Sequence, residues 1–225
     1  MHINRNILDI YENYKIMPNL QEHMLRVASV AKLIVNNLNE DIIIDKEKLT
    51  IACLLHDMGN IIKFRLNFFP EFLEPQGLEY WQNVQNEYFA KYGKDEHYAT
   101  GIIMREIAVR EDICSMVDGM LFSALCIHST IKTSLELRIF HYADLRVGPY
   151  GVISFEERVA DVTKRYADVP HDEFNQIEQS TRTELIACGK DIEQQIFAIC
   201  KIKPEDITDE SIKDVMEELK GFVVR

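Results

Sequence analysis

Glycine and proline are scarce, nine and six residues in a chain of 225. Few turns are therefore enforced, and apolar residues recur mostly at three- and four-residue spacing, which predicts helices nearly throughout. No internal repeat, low-complexity tract or flexible linker interrupts them, so a repeat array is excluded. Cysteine is sparse: five residues, an odd number, with no Cys-x-x-Cys. That argues against a disulfide framework or a thiolate zinc knuckle. Cys53, Cys126 and Cys200 sit among apolar neighbours and are expected to be buried as small hydrophobes. A reducing cytoplasm is the expected compartment. No apolar run approaches the roughly 20 residues that cross a bilayer, and no apolar signal core follows Met1–Arg5. Positive charge is in deficit: 25 Lys and Arg stand against 37 Asp and Glu, a net charge of −12. Such a surface repels the phosphate backbone of long nucleic acids. A small phosphorylated ligand is not excluded, because it meets the local field of a site, and bound cations can invert that field.

What is present is a 47% hydrophobic, 28% charged composition, ordinary for a globular protein with a sizeable core. The periodicity predicts helices over roughly 4–16, 20–38, 46–57, 78–92, 96–110, 113–127, 133–148, 154–167, 172–200 and 209–220. Asn19 with Glu22, Thr133 with Glu136, and Ser154 with Glu157 stand in capping-box positions. Residues 64–77, with Pro70, Pro75 and Gly77 among aromatics, read as a loop. Phe68, Phe69 and Phe72 in it either pack an ordinary core or form a lid over a base or sugar.

Chemistry is concentrated at His56-Asp57, which ends the apolar run Ile51–Leu55. Two ionisable groups at the end of a buried run are costly unless paired or bound to a metal. Imidazole nitrogen and carboxylate oxygen suit zinc, iron or manganese. A bare His-Asp pair is more often a helix cap and a surface turn. Here it is joined by His23 near the start of the preceding helix, by Asp144 in an otherwise apolar helix, and by His97 and His128 at helix ends. His141 lies three residues before Asp144 and shares its face, where it either orients that carboxylate or packs as a satisfied core histidine.

The ordered set His23, His56-Asp57, Asp144 and its flanks His23–Ala28, Leu54–Gly59 and Tyr142–Asp144 resemble the HD superfamily of metal-dependent phosphohydrolases, over about residues 19–165. The stretch Ile127–Thr130 with Leu137–Asp144 is similar to the branch that hydrolyses dinucleoside polyphosphates, although Ser129 follows His128 where that branch has threonine. Asn60 stands where many members carry a lysine, and the nearest lysine is Lys63.

The resemblance implies an all-α HD-domain helical bundle, read as residues 1–169; residues 170–225 carry none of this chemistry and are expected to be a C-terminal helical extension packed on the core or forming a homodimer. It implies one divalent ion on His23, His56, Asp57 and Asp144. A second ion would sit on His97, His128 and a bridging Asp57, the metal being iron, manganese, zinc, cobalt or nickel. A metal-activated water would then cleave a phosphate ester or anhydride of a small nucleotide-like substrate. Asp57, Lys63 and Arg26 are the expected catalytic residues. Arg26, Lys63 and Arg146 are the candidates to contact phosphate, since an arginine fork can donate two hydrogen bonds to one phosphate. Against this, Arg26 has Glu22 within reach four residues earlier, and Arg146 lies at its own helix C-terminus. A diiron oxygenase of the same superfamily and a noncatalytic sensor module are the competing readings.

Overall fold

The structure is a computed structural model that describes residues 5–130, 132–166 and 179–224. Helices dominate, joined by short turns. In chain order the first eight are α1 (Ile7–Asn13), α2 (Pro18–Asn36), α3 (Lys46–Leu55), α4 (Gly77–Tyr92), α5 (Glu96–Glu106), α6 (Glu111–Asp118), α7 (Leu125–His128) and α8 (Leu135–Asp144). Then follow α9 (Phe155–Tyr166), α10 (Gln179–Phe197) and α11 (Asp209–Leu219). The few strands are two-residue pairs: β1 (Arg5–Asn6) lies antiparallel to β4 (Val223–Val224), and β2 (Val147–Gly148) to β3 (Gly151–Val152).

The centre of the bundle is α3. Every residue from Leu49 to Leu55 is buried, which a helix tolerates only when neighbours surround it. Helices α2, α6 and α8 supply that cover. Ends are set by local chemistry. Asp45 caps α3 by accepting from the Lys48 N–H at 2.9 Å. Ser154 and Glu157 close the expected capping box at the start of α9, with Ser154 N donating to Glu157 Oε2 at 2.8 Å.

Several boundaries differ from expectation, each for a stated reason. Helix α2 begins at Pro18, not after it, because proline suits the first helical position, where its missing N–H is an orphan anyway; Asn19 is therefore not its cap. Ser134 rather than Thr133 caps α8, accepting from Leu137 N. The helix expected over 113–127 breaks after Asp118, passes through a 3-10 turn at Phe122–Ala124, and resumes only as the single turn α7. Loop 64–77 contains a short 3-10 turn at Pro70–Leu73.

The C-terminal segment is interwoven with the rest. Helix α11 packs along α2, burying Ile212 and Leu219, and α10 packs on α7 and α8. The boundary expected at 169–170 and the start of the helix expected from 172 lie outside the described residues. The cysteines depart from expectation: Cys126 is disulfide-bonded to Cys188, because α7 and α10 bring residues 62 apart in sequence to a Cα separation of 5.0 Å. Cys53 is buried as expected, and Cys200 is only partly so. Among the described residues, no helix is long and apolar enough to cross a membrane.

Candidate metal centre

Three mutually packed helices deliver the central cluster. His23 lies early on α2, His56 is the C-cap of α3 with Asp57 next to it, and Asp144 is the last residue of α8. His23 Nε2 stands 3.1 Å from Asp144 Oδ1 and 3.5 Å from Asp57 Oδ2. His56 Nε2 stands 3.5 Å from Asp144 Oδ1 and 3.6 Å from Asp57 Oδ2. All four side chains are largely sheltered, from 5% exposure at His56 to 26% at Asp144.

His56 is held in one orientation. Its Nδ1–H donates to the Cys53 carbonyl at 2.8 Å, and Phe140 packs against its ring edge-on at 5.5 Å between centroids. A carbonyl only accepts, so Nδ1 must carry the proton, and Nε2 faces the carboxylates. That Nε2 is buried and, among the described residues, has no hydrogen-bond partner. An orphaned buried nitrogen is rare unless a ligand completes it. The donor spacings fit a metal: two atoms each bound about 2.1 Å from one ion at a tetrahedral angle lie about 3.4 Å apart. His23, His56 and Asp144 each offer a donor atom within 4.8 Å of the others, and Asp57 adjoins both histidines. The residues present therefore fit a divalent cation with nitrogen and oxygen ligands, and the carbonyl bond on Nδ1 is the support that metal-binding histidines require.

Without an ion, the cluster is held together by protons. Burial alone would lower the His56 pKa. The charge of Asp57 and the contacts with Asp144 outweigh it and push the pKa up to about 9. Burial would raise Asp144, yet its two histidine partners hold it well below the usual carboxylate range. A folded-state pKa above the unfolded value of 6.5 makes protonated His56 a stabilising group. That stabilisation is fully present below about 6.5 and lost as pH rises through about 9. The melting temperature of metal-free protein is therefore expected to fall between pH 7 and pH 10, while metal-loaded protein shows no such fall. Scanning calorimetry at several pH values checks this. A flat metal-free profile would show that His56 is not charged in the fold.

Gly59 lets the next layer close in. A β-carbon there would run into Glu96 O and the Thr100 amide, and the Gly59 N–H donates to Thr100 Oγ1 at 2.9 Å. Helix α5 thus lies directly on the His-Asp turn. The four central residues floor a cavity of about 660 Å³. Lys63 and His97 stand on its wall, and the phenylalanines of the 64–73 segment form its apolar side.

The other expected ligands do not join the cluster. His97 lies on the cavity wall with a side chain 42% exposed, 3.7 Å from Glu96. His128 is buried, and its Nδ1 is 2.7 Å from Nδ1 of His141. One of these nitrogens donates and the other accepts, so the two rings are not both charged. Burial, then the neighbouring His128, pushes His141 down to about 3. Among the described residues, one group of metal-type ligands assembles, His23 with His56 and Asp144. The cations also divide. Lys63 lines the cavity, 3.4 Å from Glu96. Arg26 instead contacts Glu22 at 3.1 Å and Asp209 of α11 at 3.5 Å. Arg146 is 4% exposed and spends its donors elsewhere: Nε to Ile153 O at 2.6 Å, Nη1 to the Tyr142 hydroxyl at 2.6 Å, and further bonds to the carbonyls of Pro204 and Ile207. Arg65 and Arg158 line the cavity and were not singled out from sequence. No motif surrounds them, and only tertiary packing brings them there.

The HD domain family model matches residues 20–145, more than half of the chain and spanning all four central residues. The chain belongs to the HD-domain family. Comparison with curated proteins and with solved structures finds no match. In this HD domain, the pair His56-Asp57 stands in the middle of the cluster that could hold a metal, and α2 and α8 bring its other members. HD domains form a superfamily of metal-dependent hydrolases, and the all-α bundle with its histidine–carboxylate cluster is that architecture.

Proposed function

We propose that this chain is a phosphohydrolase that cleaves a phosphate ester or anhydride of a small nucleotide-like substrate. The observation that carries the reading is the convergence of His23, His56, Asp57 and Asp144 on the floor of a cavity of about 660 Å³, large enough for a ligand of that size. When bound there, a divalent ion supplies a water of lowered pKa and positive charge for phosphoryl oxygens. The protein's own groups do the rest. His23 and His56 present nitrogen donors, the latter fixed by Cys53 O. Asp57 lies beside both histidines and keeps the centre electrically balanced. Lys63 stands on the same wall, with an ammonium group suited to a phosphate oxygen. Phe68, Phe69 and Phe72 form an aromatic side in edge-on and tilted contact, with neighbouring ring centroids 4.8 and 5.2 Å apart. That side suits a base or another flat group.

The test is a hydrolysis panel of nucleoside mono-, di- and triphosphates, cyclic nucleotides and dinucleoside polyphosphates, run with manganese or ferrous iron. Turnover of one class that stops with chelator is the expected result. No turnover by protein shown to hold metal would overturn the reading.

A further inference from the structure

Several arginines among the described residues are largely withdrawn from water, and Arg146 and Arg158 differ in one respect. Arg146 has partners for its donors, all of them protein oxygens. Arg158, on α9, has a side chain only 16% exposed and lines the cavity. Its one charged contact among the described residues is Nη1 to Asp161 Oδ2, at a long 3.4 Å. Its Nε is buried and, among the described residues, has no hydrogen-bond partner. A guanidinium carries five N–H donors in a fixed fork, and leaving them unmatched away from water is costly. The other cations of the cavity are differently placed: Lys63 is next to Glu96, and the exposed Arg65 lies over the Phe68 ring at 5.5 Å.

The position of Arg158 is fixed by packing. One turn earlier, the fully buried Phe155 sits against Gly189 of α10, where a β-carbon would run into its ring. Helix α9 also packs on β2, which directly follows the α8 end carrying Asp144. The arginine is thus held on the same cavity as the metal cluster, on a wall that its neighbours Val159 and Val162 make otherwise apolar.

The geometry points to Arg158 as a second anion position in the cavity, one that holds a phosphoryl group of the substrate other than the one being cleaved. The substrate class is then a phosphate ester or anhydride with a further phosphoryl group on the part remote from the metal. This rests on the phosphohydrolase reading of the same cavity. A guanidinium fork matches a tetrahedral oxyanion with two parallel hydrogen bonds.

The test separates the two readings because its first arm needs no metal and no turnover. Inorganic phosphate is titrated calorimetrically into metal-free parent protein and into Arg158→Met and Arg158→Lys. Phosphate is expected to bind the parent, to bind Arg158→Lys more weakly, and to bind Arg158→Met at least about fivefold more weakly than the parent. Sodium acetate, tested alongside, should bind less well than phosphate. The melting temperature of Arg158→Met should stay within about 3 °C of the parent or rise, because the lost group makes few bonds in the fold. In the second arm, metal-loaded protein is assayed with a nucleoside 5′-monophosphate and the matching 3′,5′-bisphosphate. The parent should favour the bisphosphate in kcat/KM by about tenfold, and Arg158→Met should lose that preference while keeping its rate on the monophosphate. The inference is overturned if the parent binds no phosphate, if Arg158→Met binds it as the parent does, if acetate binds equally well, or if the variant loses both substrates equally. Phosphate binding lost in Arg158→Met, alongside a hydrolysis panel without turnover, would leave the anion position standing and remove the phosphohydrolase reading.

Discussion

Asp57→Ala is expected to lower phosphate-ester hydrolysis by roughly a thousandfold or more, equivalent to about 4 kcal/mol of barrier, and to strip most of the bound metal. Its carboxylate is within 3.6 Å of both histidine nitrogens, so the substitution removes an oxygen donor from the heart of the cluster. The fold should survive, because Asp57 lies at the turn after α3 and the buried run Leu49–Leu55 is untouched. Helical circular dichroism should therefore match the parent. One further readout is specific to the electrostatics: the charge of Asp57 helps to raise His56 against its burial. With it gone, His56 should lose its proton at lower pH in metal-free protein, visible by NMR titration. Full hydrolysis by Asp57→Ala, or unchanged metal content, would remove the assignment of this centre.

Arg146→Met should have the largest effect on stability. The parent side chain joins the end of α8 to Ile153 and to the carbonyls of Pro204 and Ile207, which lead into α11. Truncating it leaves those buried oxygens and the Tyr142 hydroxyl without their donor. Breaking such a buried charged network costs roughly 3–5 kcal/mol. In a chain of this size that is a fall of about 6–20 °C in melting temperature. Substrate affinity in the surviving folded protein should not change, since Arg146 does not line the cavity. If KM rose severalfold while the melting temperature held, the phosphate-contact role considered from sequence would be restored. Thermal melts and steady-state kinetics on one preparation separate the two.

The contrast between Arg146 and Arg158 shows where sequence reasoning stops. Arg146 stands two residues after Asp144, inside a recognisable motif, and invites a functional role; tertiary packing instead turns it into the core as a brace. Arg158 stands in an ordinary amphipathic stretch behind a capping box and invites none. It reaches the cavity because Phe155 is seated on Gly189. His97 and His128 also carry the right residue type at the right place in the text. Yet His128 turns toward His141, and His97 stays on the wall.

The sequence alone determined the helical class, the burial of the run Ile51–Leu55 and the candidate cluster of His23, His56 and Asp144. Each of these is written locally: three- and four-residue periodicity selects helices, and ionisable groups at the ends of buried apolar runs are tolerated only with a partner. The tertiary structure decided what depends on distance between remote segments: the Cys126–Cys188 bond, the pairing of His128 with His141, the fates of the two arginines, and the closure of α5 on Gly59. Such contacts arise from how helices of similar amphipathic pattern settle on one another, and periodicity specifies which face is buried without specifying which partner meets it.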